Sequence, residues 1–200
     1  MRRLKIISMN LERDYVINRK MVKQRKLLKY AVENYNYDII FMQGEKLKLD
    51  YKKLKYEEYD RVDDIITTLI EENFLVNDSD LSNEEIFYFF LWYDNCSPVH
   101  IINANCKSKE SLAFNTVKKI CEKNRVFGSE KFYKDMIIAG TFSEDINIRD
   151  FCKKYRLYDV CRKNVQQNKA SHILVSESFE CENVINEKNL TEVTLKKVLK

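Results

Sequence analysis

The residues of this chain that could do hydrolytic chemistry are carboxylates and imidazoles at the ends of short apolar runs, and they are few. Glu45 follows the run DIIFMQG, and Glu192 opens a late segment of alternating apolar residues. Two carboxylates converging on a divalent cation would activate water and offset the charge of an anionic ester. The two histidines, His100 and His172, each stand at the start of an apolar run. From there an imidazole can approach a cleft as a general acid, provided that a partner orients it. Thr141 and Ser143 offer hydroxyls, but neither has a His or Lys in a recognisable activating motif. The plainer expectation is that both glutamates are surface carboxylates and both histidines structural.

A second candidate chemistry is nucleic-acid binding through Arg19, Lys20, Lys23, Arg25, Lys26 and Lys29. The same run also suits the solvated face of an amphipathic helix. Net charge argues for restraint: 35 basic residues against 31 acidic ones leave +4, well short of the field of a dedicated nucleic-acid binder. Aromatic residues sit mainly inside apolar runs, as do Phe87, Phe89 and Phe90, and are expected in the core rather than as stacking platforms. The six cysteines (Cys96, Cys106, Cys121, Cys152, Cys161, Cys181) form no CxxC pair and no zinc spacing, so free, mostly buried thiols in a reducing compartment are expected. The longest apolar stretch, Ile86 to Tyr93, has eight residues, too few to cross a membrane. The basic start is followed by too short an apolar run for a signal peptide. The expected location is the cytoplasm.

The elements that must position these residues are strands and helices in alternation. Leu4–Met9, Asp38–Gln43, Glu85–Tyr93, Val99–Cys106, Met136–Thr141, Leu157–Val160, His172–Val175 and Glu192–Leu199 read as strands. Arg19–Tyr35, Asp63–Asn73, Ser111–Lys123 and Glu144–Tyr155 read as helices, the second because Ile66, Leu69 and Ile70 share one side. A turn through Asp94-Asn95-Cys96-Ser97-Pro98 joins two adjacent strands. Hairpins mixed with strand–helix alternation favour a layered α/β sandwich with mixed sheets over a doubly wound parallel sheet. With 200 residues and no Gly-, Ser- or Pro-rich linker, one domain over residues 1–200 is expected.

Five segments carry a resemblance. LKIISMN, YDIIFMQGE, HIINANC, DMIIAGTFS and ASHILVSESFE occur in that order, followed by NLTEVTL. In order and spacing they are similar to the core strands of the endonuclease/exonuclease/phosphatase family, which includes apurinic endonucleases, type I deoxyribonucleases and inositol-phosphate phosphatases. The family's strands end in PDIICLQE-like, VNTHL-like, IIAGDFN-like, IDHILVS-like and NLSDHYP-like motifs. The resemblance implies a four-layered sandwich of two packed mixed sheets flanked by helices. It also implies hydrolysis supported by carboxylate-held Mg²⁺, an Asp that prepares water, and a His at the phosphate.

Carried onto this chain, the family's motif positions are largely emptied of that chemistry. Asn10 matches the family Asn. The Glu after Gln43 falls at Gly44, with Glu45 one place further on; the His falls at Asn105. The Asp and Asn of the IIAGDFN-like motif fall at Thr141 and Ser143, the next Asp at Ser171, and the final Asp-His pair at Glu192-Val193. A lost general acid or base typically lowers a rate by about two to four powers of ten, and here several such groups are replaced together. The expectation is a pseudoenzyme without a metal cofactor that binds a protein or a nucleotide-like partner. The alternatives are an active Mg²⁺-dependent hydrolase rebuilt around Glu45, Glu192, Asn10 and a histidine, and a nucleic-acid-binding module using Lys23, Arg25 and Lys26.

Overall fold

The structure is a computed structural model, and it describes residues 3–11, 26, 29–44, 49–50, 52–61, 66–92, 98–126, 135–160, 171–187 and 190–198. Two six-stranded mixed sheets pack face to face. The first has the strand order β11-β12-β1-β2-β4-β3, built from β1 (Arg3–Leu11), β2 (Ile39–Gly44), β3 (Tyr56–Arg61), β4 (Ile66–Glu71), β11 (Phe179–Glu187) and β12 (Leu190–Lys197). The second has the order β5-β6-β7-β8-β10-β9, built from β5 (Leu75–Asp78), β6 (Ile86–Trp92), β7 (Pro98–Cys106), β8 (Met136–Phe142), β9 (Leu157–Asp159) and β10 (Ser171–Ser176). Helices α1 (Leu112–Val126) and α2 (Ile148–Tyr155) cover the outer face of the second sheet.

Burial explains why the central strands read as nearly continuous apolar runs. Both of their faces are covered, so alternation is suppressed. One layer lies between the sheets and contains Leu4, Ile6, Ile39, Phe41, Phe87, Phe89, Ile101, Ile137, Ala139, Ile173, Val193 and Leu195. The outer face of the second sheet packs Ile102, Ala104, Ile138 and Leu174 against Val117 and Ile120 of α1 and Phe151 of α2. The outer face of the first sheet holds Ile7, Met9, Ile40, Met42 and Leu69 with Val32 from the helical segment 29–34. Period two therefore assigns each strand residue to a face, and that assignment decides which side chains can reach a cleft.

The parallel pairs β1–β2 and β7–β8 lie at the centres of the two sheets, and their C-terminal ends point to the same end of the sandwich. Gly140 in β8 sits opposite Ala104 of β7, where a Cβ would lie 1.9 Å from the Ala104 carbonyl oxygen. Only glycine allows the two backbones to approach so closely. Helix α2 starts where the Asn147 side chain accepts from the Asp150 N–H, and it ends at Arg156 in the left-handed conformation.

Segment 63–73 departs from the helical expectation. Ile66–Glu71 is a strand, buried through five of its six residues and paired on both sides, to β2 and to β3. Ile66, Thr67 and Thr68 are β-branched and stiff at χ1, which suits a covered central strand better than a helix. β3, β5 and β11 are edge strands that the sequence reading did not mark. Segment 144–147 is turn rather than helix. The expected helix over 19–35 is described at residue 26 and residues 29–35, helical except for a bend at Tyr35; residues 93–97, where a turn is expected, lie outside the described residues.

Candidate functional site

Where the strands of both sheets end, the layer between them changes from apolar to polar. Ser8 and Asn10 of β1, Gln43 of β2 and Thr68 of β4 face inward from the first sheet, on the same strand faces as Ile6, Phe41 and Ile66. Asn103 and Asn105 of β7, Thr141 of β8 and Ser171 of β10 face them from the second, in line with Ile101, Ala139 and Ile173. Thr191 of β12, opposite Ser8 in the register, completes the set. Asn10 lies beside Gln43 across β1–β2, Asn105 beside Thr141 across β7–β8, and Ser171 beside Thr141 across β8–β10.

Side-chain contacts here cross from sheet to sheet. The Ser8 and Ser171 hydroxyls lie 3.3 Å apart. Gln43 Nε2 donates to Asn103 Oδ1 at 2.7 Å, while Asn103 Nδ2 donates to the Thr67 carbonyl at 3.1 Å and to Thr68 Oγ1 at 3.0 Å. Because the Asn103 amide group is committed to acceptors, its oxygen must receive the Gln43 amide, which fixes the orientation of Gln43. Among the described residues, Gln43 Oε1 and Thr141 Oγ1 then find no hydrogen-bond partner. Such atoms are uncommon in folded proteins and call for an explanation.

Not every motif position reaches this cleft. Glu192 points to the outer face of the first sheet, where it accepts from the Tyr37 hydroxyl at 2.9 Å and lies 3.6 Å from Lys5 Nζ. Burial first, and then Glu192, push the Tyr37 phenol well above its ordinary value. Val193 is fully buried in the apolar layer between the sheets. The expectation that Glu192 and Val193 line the cleft is therefore corrected by period two: the inward residue at that level is Thr191. Gly44, with φ of 91°, follows Gln43 on the opposite strand parity, so the inward position at the tip of β2 belongs to Gln43. Ser143 lies past the end of β8. Its N–H donates to the Cys106 carbonyl, and its side chain bonds to Asp145. The Lys109 N–H, and after it Ser143, hold the Asp145 carboxyl below its ordinary value.

Both histidines occupy the far side of the second sheet. His100 is buried with its Nδ1 2.6 Å from the Tyr88 hydroxyl and Phe90 edge-on to the ring. His172 Nδ1 lies 2.9 Å from Asp159 Oδ2, with Phe142 against its ring. The expectation that either could approach the cleft is corrected in the same way, since residues 100 and 172 share strand parity with Ile102 and Leu174 of the outer face. Glu45, Lys23 and Arg25 lie outside the described residues; Lys26 is exposed.

The donors at the strand tips are thus amides and hydroxyls. Just before β6 and just after β7, Glu85 and Lys107 pair with each other at 2.7 Å and offset one another. Among the described residues, no three His, Cys, Asp or Glu side chains group so as to hold a metal ion. Mg²⁺ binds through carboxylates and phosphates and gives up its own water reluctantly, so uncharged amide and hydroxyl oxygens do not fit it. Serine and asparagine at 8 and 103 were missed in the sequence reading. The signal for them was present, since each lies two residues before a motif position on the same strand.

Among the described residues, Cys106, Cys121, Cys152 and Cys181 form no disulfide, and the first three of them are buried. Burial pushes the Cys106 and Cys121 thiols up, as befits inert core residues. Among the described residues, no helix is long and apolar enough to cross a membrane.

Neither family models nor curated proteins match the sequence. Solved structures do. The catalytic domain of human Nocturnin with bound sulfate superposes with a TM-score of 0.69 at 10% identity, covering 98% of this chain and 95% of that one. A humanized D. rerio TDP2 gives 0.65 at 12% identity, covering 98% and 99%. An endonuclease/exonuclease/phosphatase family protein from Bacteroides thetaiotaomicron gives 0.61 at 14%, covering 97% and 95%. Two packed mixed sheets, the polar layer where their strands end and these likenesses together give the chain its fold: it is an endonuclease/exonuclease/phosphatase-type, DNase I-like α/β sandwich.

Proposed function

We propose that this protein is a non-catalytic relative of the phosphoester hydrolases that share its fold, acting by binding a partner at or around the cleft. One observation carries the reading. The inward residues Ser8, Asn10, Gln43, Asn105, Thr141, Ser171 and Thr191 at the ends of the central strands are uncharged amides and hydroxyls, while the carboxylate at 192 and both imidazoles turn to outer faces. Hydrolysis of an anionic ester needs a Lewis acid or a positioned proton donor where charge develops. A neutral floor supplies neither.

The partner is a protein or a nucleotide-like molecule, acting without a metal cofactor. Lys23, Arg25 and Lys26 offer a second, electrostatic contact with nucleic acid. Buried thiols outside disulfides suit a reducing, cytoplasmic setting. A regulator or an inhibitor of another protein fits this description.

The test has two arms. Calorimetry with Mg²⁺ and Mn²⁺ should give no stoichiometric binding. Incubation with single- and double-stranded DNA, RNA and a phosphomonoester should give no metal-dependent turnover. Turnover that disappears in Glu45→Gln would replace this reading with that of a rebuilt hydrolase.

A further inference from the structure

We infer that β11 is a self-association edge: two copies of this chain pair antiparallel through residues 183–187 and join their first sheets, six strands from each, into one. This edge is distinct from the layer between the sheets, and its pairing stands independently of the proposed function.

Among the described residues, four strands end the two sheets, and each leaves a row of backbone N–H and C=O groups open to pairing. Three of these edges are blunted. β9 has three residues and β5 four, too short to template a long pairing. β3 has six, but Glu57, Glu58, Asp60 and Arg61 make it a charged edge. β11 runs for nine residues. Its bulge, between Cys181 and Asn183, leaves residues 183–187 in unbroken register with β12.

The middle of that stretch is apolar on both faces. Val184 stands opposite Val193 and extends the layer between the sheets, whereas Ile185 stands opposite Glu192 and extends the outer face. They are 36% and 51% exposed. A helix or loop laid on either face would cover one and leave the other. A strand added to the edge covers both.

Charge favours a second copy as that strand. The acids that precede the stretch are answered within the sheet, since Glu182 pairs with Arg3 and Glu180 stands opposite Lys196. A two-fold axis at Ile185 sets residue 185 against its own copy, 184 against 186 and 183 against 187. No two like charges are then directly opposed. The pairing uses every residue that remains in register after the bulge, and it consumes the edge. Because it is isologous and the other edges are blunted, association stops at the dimer.

Sedimentation velocity of the full chain over a concentration series tests the inference, with amide hydrogen exchange as a second readout. The expected result is a reversible monomer–dimer equilibrium of the 24.0 kDa chain, with the amides of residues 183–187 slowing as dimer forms. Ile185→Lys and Ile185→Glu change an exposed side chain and set like charge against like at the axis. Each should weaken dimerisation about tenfold or more, and an equimolar mixture of the two variants should restore it. Leu75→Lys, at an exposed position on the β5 edge, should leave it unchanged. The inference is overturned by a chain that stays monomeric up to its solubility limit, including one whose edge only another protein's strand occupies. Assemblies that grow past the dimer, a dimer indifferent to Ile185→Lys, an equal effect of Leu75→Lys, or a mixture that fails to restore pairing would also overturn it.

Discussion

The two ends of the layer between the sheets hold their polar groups in opposite ways. At the end where β1 and β8 begin, Lys197 Nζ meets Asp135 Oδ2 at 2.8 Å, with both side chains more than nine-tenths buried. At the end where they finish, Asn10, Gln43, Asn105 and Thr141 face inward uncharged, and two oxygens find no partner among the described residues. Buried charge is accepted where it is paired and fixed in place. At the cleft end, where the resemblance leads one to expect clustered charge, the inward residues of the central strands are uncharged, and Glu85 and Lys107 beside them pair with each other. The fold therefore tolerates ionic groups in its interior, and the neutrality of the cleft comes from the side chains placed there, not from any constraint of the scaffold.

Breaking the closed end should give the largest effect. Lys197→Met strands the Asp135 carboxylate and should lower unfolding stability by about 3–5 kcal/mol, read by urea denaturation. Adding Asp135→Leu should restore most of it. A loss below about 1 kcal/mol in the single variant would mean that this pair is not what anchors the closed end.

Converting the open end into a likeness of the closed one is the next test. Gln43→Glu with Thr141→Asp places two carboxylates on inward positions, lowering stability through mutual repulsion until a cation is added. Mn²⁺ at a hundred times its dissociation constant should then raise stability by about 2.7 kcal/mol, visible as an increase in Tm. Gly44→Glu with Thr141→Asp should gain far less, because residue 44 has the opposite parity. Equal gains in the two pairs would refute the assignment of the inward position to Gln43.

The smallest effect sharpens the comparison by lying outside both ends. On the outer face of the first sheet, burial pushes the Tyr56 phenol up to about 12. A raised folded value means that the unfolded chain loses its proton first. The associated stability is complete below the unfolded value of about 10 and is lost as pH rises toward the folded value. A fall on the order of 1 kcal/mol between those limits, reduced in Tyr56→Phe, would place this part of the alkaline sensitivity away from the interior ion pair. An undiminished fall in that variant would place it elsewhere.

Much of the frame was legible because burial on both faces leaves a strong mark in sequence. β1, β2, β7, β8 and β10 are short, dense runs of Ile, Leu, Val and Met that end in small polar residues, and each was located to within two residues. Strand β4 was misread because Ile66, Leu69 and Ile70 satisfy a helical spacing, while the pairing of both its edges, which decides the matter, is a non-local fact. β3, β5 and β11 were invisible for a related reason: their sequences YEEYDR, LVND and FECENVINE are largely polar, and only hydrogen bonding to a neighbour makes them strands. At the site, residue identities were read correctly, but facing was not. Glu192, His100 and His172 are each one strand position away from an inward side chain, and a one-residue step exchanges a cleft for an outer face.

Gly140 gives this sandwich an unusual kind of permanence. A single absent methyl group lets β7 and β8 touch, and a methyl there would strike the Ala104 carbonyl. The spacing of the floor is thus held by main chain against main chain, one residue before Thr141. Side chains at the tips can be exchanged wholesale, acid for amide or imidazole for hydroxyl, while the platform beneath keeps its dimensions. A protein assembled this way can give up one chemistry and take on another without first having to reinvent its shape.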